Sequence, residues 1–363
     1  MKKSIAIVEL YHGDAGRIGY YNNQEIGLAK AYAKEGYKVT IHYPDTDSRE
    51  INTSIINDNI TIFKHPAKAL FKHSYYDPSF LLDEDIEFAH IGADNQLAAP
   101  MLGSYLKRHG IKYYNYVGTL SSSSDNSMKK LFMNALNSRN IRAYRRSVTF
   151  AKTARTCEEL KLKGVDAKLA PVGLDLDLIP RLDEGGAELK GKLGLPKDKK
   201  IAIFVGRLED YKRPLNAVKL INMLDDPWHL LMIGDGYLYG EVENIIESNG
   251  LKDRITRISS VPNEDIHAYY KAADCYVNFN EQEIFGMGIL EAMYQGCPVV
   301  AMHAPGPDDI VVDGETGYLC DDLSGMALAV NKVTPGMGDP ANKRVTDHFS
   351  WESTAGIILG VMA

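Results

Sequence analysis

Three absences narrow the class of protein that this sequence can encode. No apolar run approaches the roughly 20 residues that a membrane-spanning helix needs. The start of the sequence leads into a short apolar strand without a signal-peptide core, so we expect a cytoplasmic protein. Only four cysteines are present, none with Cys-x-x-Cys spacing. They stand in or beside apolar stretches, which predicts reduced core thiols: Cys157, Cys275, Cys297 and Cys320.

A dinucleotide fingerprint is also missing from the first segment. A strand at 4–8 leads to a glycine-containing loop at 11–20, a helix at about 23–35 and a second strand at 37–43. This order is typical of a doubly wound α/β unit. The Gly-x-Gly-x-x-Gly spacing is absent, and we find no acidic residue at the end of the second strand, which argues against an NAD site. We expect no cofactor, and no carboxylate–histidine cluster has the spacing of metal ligands.

The chain is long enough, at 363 residues, for two domains of ordinary size. Residues 183–200 are rich in Gly, Lys and Glu and fit an interdomain connection with a short helix. We therefore expect a first domain at 1–180 and a second at 181–349. The net charge of −7 is unevenly divided, because residues 1–180 hold 24 Lys and Arg against 20 Asp and Glu, while the remainder holds 17 against 28. We expect no nucleic-acid partner.

The basic segment, residues 128–155, contains no acidic residue. The apolar residues from 127 to about 148 have helical spacing, and two interpretations of the segment stay open. The segment is either a basic amphipathic helix at an anionic membrane surface, which would make the protein peripheral at the inner membrane face, or a solvated helix whose apolar stripe faces its own core. Its cations are Lys129, Lys130, Arg139, Arg142, Arg145, Arg146, Lys152 and Arg155.

The most informative stretch runs from 275 to 300. It reads as a strand, a polar loop, a helix that begins near Phe285 and Gly286, a stop at Gly-Cys-Pro, and another strand. Glu283 falls in the loop and Glu291 on the helix. Between them, Gly286 and Gly288 make backbone N–H groups accessible at the helix N-terminus, which predicts an anion site. A phosphate site between two carboxylates suits a nucleotide sugar.

Two cations follow the first strand of the second domain, at the edge of the sheet where doubly wound folds bind ligands. Arg207 and Lys212 are five positions apart across a strand-to-helix turn, so both can reach a diphosphate, the arginine with a fork of donors and the lysine as a point charge. For each cation alone, a surface salt bridge is the alternative.

These motifs resemble the retaining GT-B glycosyltransferases of the family-4 type, the glycosyl transferases group 1. The matched features are the Glu-x7-Glu pair formed by Glu283 and Glu291, the Phe-Gly between them, and Gly-Arg-Leu followed by Lys-Arg at 206–213. The resemblance implies an α/β protein with two doubly wound Rossmann-like domains facing a cleft. It also implies that a C-terminal helix, about 350–363, crosses back onto the first domain.

The resemblance implies a role for each matched residue. Glu291 would hold the ribose hydroxyls, and Glu283 would position the transferred sugar. The backbone and side chains around Phe285, Gly286 and Met287 would contribute to donor binding. Arg207 and Lys212 would neutralise the leaving diphosphate, which makes them catalytic together with Glu283. The implied activity is metal-independent transfer, with retention, from a UDP- or GDP-sugar to a glycan, lipid-linked or small-molecule acceptor.

The first domain departs from the family pattern. Its candidate acceptor loops contain Gly16 and Gly19, and Gly118 and Thr119 stand where many relatives carry a histidine. Two alternatives therefore stay open: a catalytically silent accessory subunit of a glycosylation complex, and a nucleotide-sugar epimerase on the same fold. The second lacks support beyond the fold, and the intact set of Arg207, Lys212 and the two glutamates argues against the first.

Overall fold

The structure, a computed structural model, describes residues 4–12, 23–70, 72–118, 120 and 127–362, and of residues 127–134 it describes the backbone alone. The described chain divides into two compact units. The first comprises Met1–Gly173 and Ser350–Ala363, and the second comprises Leu174–Phe349. The sequence placed this boundary at 180. It falls earlier because Leu174 and Ile179 are already buried in the core of the second unit.

The first unit is built on an eight-stranded sheet with the strand order β10-β9-β8-β7-β1-β2-β4-β3. All neighbours are parallel except the antiparallel pair of β3 and β4. The sheet strands are β1 Ser4–Glu9, β2 Lys38–Asp45, β3 Asn52–Asn57, β4 Ile60–Pro66, β7 Ile86–Gly92, β8 Lys112–Val117, β9 Val148–Ala151 and β10 Ala167–Leu169, while β5 Lys68–Leu70 and β6 His73–Tyr75 form a separate two-stranded sheet. The helices before the second unit are α1 Gln24–Lys34, α2 Ala99–Arg108, α3 Ser127–Tyr144 and α4 Ala154–Leu162.

The second unit has a six-stranded parallel sheet in the order β13-β12-β11-β14-β15-β16. Its strands are β11 Lys200–Val205, β12 Trp228–Ile233, β13 Ile255–Ile258, β14 Cys275–Asn278, β15 Val299–Met302 and β16 Gly317–Cys320. Its helices are α5 Gly186–Lys192, α6 Pro214–Met223, α7 Tyr239–Ser248, α8 Ile266–Ala272, α9 Met287–Tyr294, α10 Pro305–Ile310, α11 Leu323–Lys332 and α12 Gly338–His348. Apolar cores lie on both sheet faces, which explains the unbroken apolar run of β11.

The last helix, α13 Trp351–Met362, packs on the first unit, as the sequence predicts. Trp351 is only 1% exposed, and its indole lies where a Cβ on Gly27 of α1 would be, 2.1 Å from Nε1. Thr354 Oγ1 donates a hydrogen bond of 2.5 Å to the carbonyl of Pro171. The close packing of α13 on α1 therefore requires a glycine at position 27.

Three details of the first unit differ from the sequence interpretation. Strand β2 continues to Asp45, so an acidic residue does end the second strand; its carboxylate accepts hydrogen bonds from the backbone N–H groups of Asp47 and Ser48 and closes a turn. Residues 45–85, whose polar sequence indicates only one strand, at 60–63, also contain β3, β5 and β6. Helix α3 ends at Tyr144, and Val148 already begins β9.

Candidate active site

The loops with the candidate donor-binding residues meet at the switch point of the second sheet. Strand β11 lies between β12 and β14, so the connections that leave its carboxyl end and that of β14 diverge to opposite sides. In open α/β sheets, ligands bind in the crevice at this point. Arg207 and Lys212 follow β11, and Glu283 follows β14. The chain order alone thus brings two cations and a carboxylate to one sheet edge.

Lys212 and Glu283 form an ion pair across this edge, with 2.6 Å between Nζ and Oε2. Both side chains are largely shielded, with 24% and 16% of their surfaces exposed. Asn280 Nδ2 donates a second hydrogen bond, of 3.1 Å, to the same carboxylate oxygen. The other end of that amide is also engaged, because Asn280 Oδ1 accepts from the backbone N–H of Gln282. The Glu283 carboxylate is therefore held by two side-chain donors.

The backbone of the Glu283 loop is fixed from the side of α10. The N–H of Gly306 donates a hydrogen bond of 2.8 Å to the Glu283 carbonyl. A Cβ on Gly306 would lie 2.2 Å from the carbonyl oxygen of Phe285, so only glycine permits this approach. Gly286, with φ 94°, occupies the left-handed region immediately before α9. Two glycines thus set the path of the loop.

Glu291 lies inside α9, in its second turn, and is 7% exposed. Tyr270 Oη donates to its carboxylate over 3.2 Å. Burial, together with the charges of Glu283 and Glu291, raises the pKa of Tyr276 far above its ordinary value, which keeps that phenol neutral. A Cβ on Gly288 would lie 2.9 Å from the Tyr276 hydroxyl, so Gly288 provides room for this ring between the two glutamates.

The N-terminus of α9 itself has the features expected of an anion site. Gly286 is the N-cap residue, and no described side chain caps the helix. Phe285 points away from this end and packs edge-on against Phe349, with ring centroids 6.5 Å apart. Met287 begins the helix and is half-buried against the core of the second unit. Within the predicted donor-binding stretch 285–287, Gly286 therefore forms the helix end, while the side chains of Phe285 and Met287 pack against the second unit.

Arg207 does not join the Lys212–Glu283 pair. Its guanidinium is 69% exposed and lies 3.2 Å from Glu209 Oε1 and 5.6 Å from the centre of the Tyr211 ring. Arg213, the residue after Lys212, forms a two-pronged ion pair with Glu281. The alternative of surface pairing, raised for each cation, thus describes Arg207 in this state, whereas Lys212 faces the site.

The candidate loops of the first unit are only partly described, because Gly16, Gly19 and Thr119 lie outside the described residues. Gly118 follows β8, and its N–H donates to Asp94 Oδ1, while its carbonyl accepts from Thr156 Oγ1 over 2.9 Å. Asp94 also pairs with Lys152 Nζ at 2.8 Å. Burial lowers the pKa of Lys152, but Asp94, Glu9 and Glu25 outweigh it and raise the pKa overall. The Asp94–Lys152 pair lies after the carboxyl ends of β7 and β9, on either side of β8.

In the described part of the basic segment, the apolar side chains face the protein core, as the interpretation of a solvated helix predicts. Leu136, Ile141 and Tyr144 are buried in the core of the first unit, and the arginines at 142, 145 and 146 are exposed. Among the described residues no helix is long and apolar enough to cross a membrane. No group of three or more potential metal ligands occurs in that part of the chain either. Of the four cysteines, Cys157 is half-buried and the other three are buried thiols.

Comparison with solved structures defines the fold. Sucrose-phosphate synthase from Thermosynechococcus elongatus superposes with a TM-score of 0.70 at 20% identity over 99% of this chain and 98% of the other. HepE from Anabaena, solved in complex with UDP, gives a TM-score of 0.69 at 16% identity over 99% of each chain. The chain therefore has the GT-B fold, as the sequence predicts.

Comparison by sequence then finds a family match within the second unit. The model for glycosyl transferases group 1 matches residues 187–333, which include Arg207, Lys212, Glu283 and Glu291. A D-inositol 3-phosphate glycosyltransferase of Xylanimonas cellulosilytica is 28% identical over 233 residues, covering 59% of this chain and 56% of that protein. The chain spans about half the length of the curated relatives it matches. The resemblance to the glycosyl transferases group 1 is confirmed.

Sequence reasoning missed several residues of the site. Asn280, Tyr270 and Gly306 come from a loop, from α8 and from α10, and each contacts the motif only in the folded chain. Asn280 carried a usable signal, since an amide three residues before a loop glutamate can reach its carboxylate. The sequence around Tyr270 and Gly306 gave no indication of their contacts with the motif.

Proposed function

We propose that this protein is a retaining glycosyltransferase that moves a sugar from a nucleotide-sugar donor, a UDP- or GDP-sugar, to a glycan, lipid-linked or small-molecule acceptor. The observation that carries the proposal is the Lys212–Glu283 pair of 2.6 Å at the switch point of the second sheet. A cation and a carboxylate are held there beside an open helix N-terminus, and Glu291 is buried in the same helix.

The donor would use these groups in sequence along its length. The ribose hydroxyls pair with the Glu291 carboxylate, the diphosphate lies at the N-terminus of α9 near Lys212, and the sugar lies against Glu283. A diphosphate would compete with Glu283 for the Lys212 ammonium. Its arrival would release Glu283 to accept hydrogen bonds from sugar hydroxyls, while Asn280 keeps the carboxylate in place.

The chemical step follows from this placement. The bond between the anomeric carbon and the diphosphate oxygen breaks, and the acceptor oxygen bonds to the same face of that carbon. The departing phosphate takes the acceptor's proton, so Glu283 positions the sugar and is not a nucleophile. Lys212, joined by Arg207 once it leaves Glu209, would stabilise the leaving diphosphate. Loss of one such preorganised donor commonly costs roughly 3–4 kcal/mol of transition-state stabilisation. The proposal requires no metal and no cofactor.

Two similarities support this proposal. HepE, whose fold this chain shares, was solved with UDP, which favours a uridine donor. The Xylanimonas relative is named for transfer to D-inositol 3-phosphate, a small acceptor that carries a phosphate. We place the reaction in the cytoplasm and assign acceptor binding to the first unit. Contact of the basic segment with the inner face of a membrane is part of the proposal only if the acceptor is lipid-linked.

The test is a screen of the purified protein against UDP-, GDP-, ADP- and CMP-sugars without added metal, with thermal stability and sugar release as readouts. We expect one nucleotide to raise the melting temperature and its sugar to be released slowly by water. The variant Glu291→Gln should lose that stabilisation. A folded protein that none of the four donors stabilises would contradict the proposal and favour a silent accessory subunit.

A further inference from the structure

The first unit contains a cavity of about 590 Å³ beside the switch point of its own sheet. Strand β1 lies between β2 and β7 in that sheet. Val8 and Leu10 at the end of β1, and Ala98 after β7, form the inner part of the cavity. We call it the first-unit cavity. Its volume lies within the range of roughly 300–1,000 Å³ that is usual for sites of small organic ligands.

One wall of the first-unit cavity is a fixed stack of aromatic rings. Tyr76 and Phe80 line the cavity, and behind them the His65 ring stacks on both, with centroids 5.2 and 4.2 Å away. Tyr76 Oη donates to the carbonyls of Glu9 and His42 over 2.9 and 3.1 Å. Burial lowers the pKa of His65 to about 4, so the stack is uncharged at neutral pH. The wall is apolar and already rigid without a ligand.

The opposite wall is one face of α2. Met101, Leu102 and Tyr105 line the cavity there, and Met101 is 48% exposed. Tyr75, 49% exposed, stands on the other side. Large apolar side chains therefore continue from the interior of the cavity to its surface. An apolar chain could bury against both walls, at roughly 25 cal/mol per Å² of surface removed from water.

Positive charge borders the same cavity. Arg108, at the end of α2, is exposed and makes no ion pair with any residue that the structure describes, and Arg139 of α3 donates to the Leu97 carbonyl over 2.7 Å. The single lining carboxylate, Asp77, already accepts hydrogen bonds from the backbone and hydroxyl of Ser79. Arg139 is engaged at the start of α2, about 15 Å along this ten-residue helix from Arg108. Arg108 is therefore the cation that can take a phosphate on an apolar chain, because guanidinium matches phosphate with paired N–H donors.

We propose that the first-unit cavity binds an alkyl phosphate, with the chain between α2 and the aromatic wall and the phosphate at Arg108, and that it holds the acceptor of the reaction. The assignment of the cavity as the acceptor site rests on the proposed function. The binding of an alkyl phosphate does not, and it can be tested without turnover.

The binding experiment uses the full-length protein and n-decyl phosphate below its micelle concentration, followed by calorimetry. We expect saturable binding to one site, and Arg108→Ala should weaken it at least about tenfold, because a charged hydrogen-bond donor is lost. Lys107→Ala is the matched control. It removes a neighbouring exposed cation of α2 that does not line the cavity, and it should leave the affinity unchanged.

Two further probes separate the halves of the ligand. Inorganic phosphate and 1-decanol should each bind far more weakly than decyl phosphate, since each lacks one of the two contacts. Absence of saturable binding, equal binding of inorganic phosphate, or equal weakening by Arg108→Ala and Lys107→Ala would each overturn the proposal. Equal weakening would mean that the ligand is attracted by net charge alone.

Donor stabilisation, measured on the same samples, keeps this proposal separate from the proposed function. If a nucleotide sugar binds and decyl phosphate does not, the assignment of the cavity fails and the glycosyltransferase proposal stands. If decyl phosphate binds and no donor does, the cavity is confirmed as a site for alkyl phosphates, and the transfer reaction is the part that fails.

Discussion

The two sheets have corresponding switch points, but their side chains differ in kind. At the second sheet, the loops after β11 and β14 bring together Lys212, Glu283 and Asn280, which are polar and hydrogen-bonded to one another. At the first sheet, the cavity beside β1 is lined by apolar and aromatic side chains, with arginines at its border. The same topology thus places a cluster of charged and polar side chains in one unit and an apolar cavity in the other.

The difference shows that sheet topology determines where a crevice lies, whereas the loop residues determine which side chains line it. In both units the crevice arises because adjacent connections diverge from the carboxyl ends of parallel strands. The residues in it come from segments of different composition, the polar loop 280–286 in one case and the aromatic segment 75–80 in the other. Four predictions test whether each site depends on its own residues in the way described.

The largest effect is expected at Glu283. Replacing its carboxylate by an amide in Glu283→Gln should lower the turnover of sugar transfer by roughly 10²–10³-fold, because the sugar loses a preorganised partner. The melting temperature should change little, because an amide oxygen at this position can still accept the hydrogen bonds from Lys212 and Asn280. Steady-state kinetics with the identified donor provide the measurement. Glu281→Gln, two positions away and paired with Arg213, is the control. A similar loss in both variants would refute a specific role.

The pH dependence of the unfolding free energy tests the burial of His65 in the aromatic wall of the first unit. His65 has a folded-state pKa of about 4 against an ordinary 6.5, because burial disfavours the charged ring. The unfolded chain binds more protons between these values, so this contribution to stability is complete above pH 6.5 and is lost as the pH falls through 4. Urea unfolding from pH 7 to 4 measures this loss.

His65→Phe keeps a ring in the stack and removes the titrating group. Its unfolding free energy should fall less steeply with decreasing pH than that of the unchanged protein. The pKa of His42, which contacts His65, is also lowered by burial and by its neighbour, and it retains part of the slope in this variant. Identical slopes for the two proteins would contradict the assignment.

Gly306 tests the packing beneath the charged site. In Gly306→Ala the new Cβ would meet the backbone of Phe285 at 2.2 Å, so one segment must move. We expect a loss of about 1–3 kcal/mol of unfolding free energy, as in other overpacked positions. Gly240→Ala, whose Cβ would meet nothing within 4 Å, is the matched control and should be neutral or slightly stabilising. A destabilised control would attribute the effect to glycine replacement in general.

Asn280 should give the smallest effect on turnover. We expect Asn280→Ala to lower turnover about tenfold through one lost hydrogen bond to Glu283, without a matching rise in the KM for the donor. Asn280→Asp should lose more activity, because it places a second carboxylate beside Glu283. Recovery of turnover as the pH is lowered, in the aspartate variant alone, would identify that repulsion. A purely structural role would instead lower the melting temperature of both variants and leave their pH profiles parallel.

The sequence alone determined most of the second unit. The uninterrupted apolar run at 201–205 indicates β11, since strands of a parallel sheet are buried on both faces. Pro214 marked the first turn of α6, and Gly296 followed the end of α9 at Tyr294. The first unit was predicted less completely, because β3 is exposed along its whole length and carries no apolar alternation to reveal it.

Tertiary structure decided which partners each site residue has. The motif placed Glu283 and Lys212 in the site, but only the sheet order brings residues 71 positions apart into contact, and it leaves Arg207 on Glu209. The first-unit cavity had no signature at all, because its walls come from β1, from 75–80, from α2 and from α3. The spacing of apolar residues and the residues that cap helices are local properties, which a few neighbouring positions in the sequence determine. The pairing of charges and the shape of a cavity depend on distances between segments, and those exist only once the chain is folded.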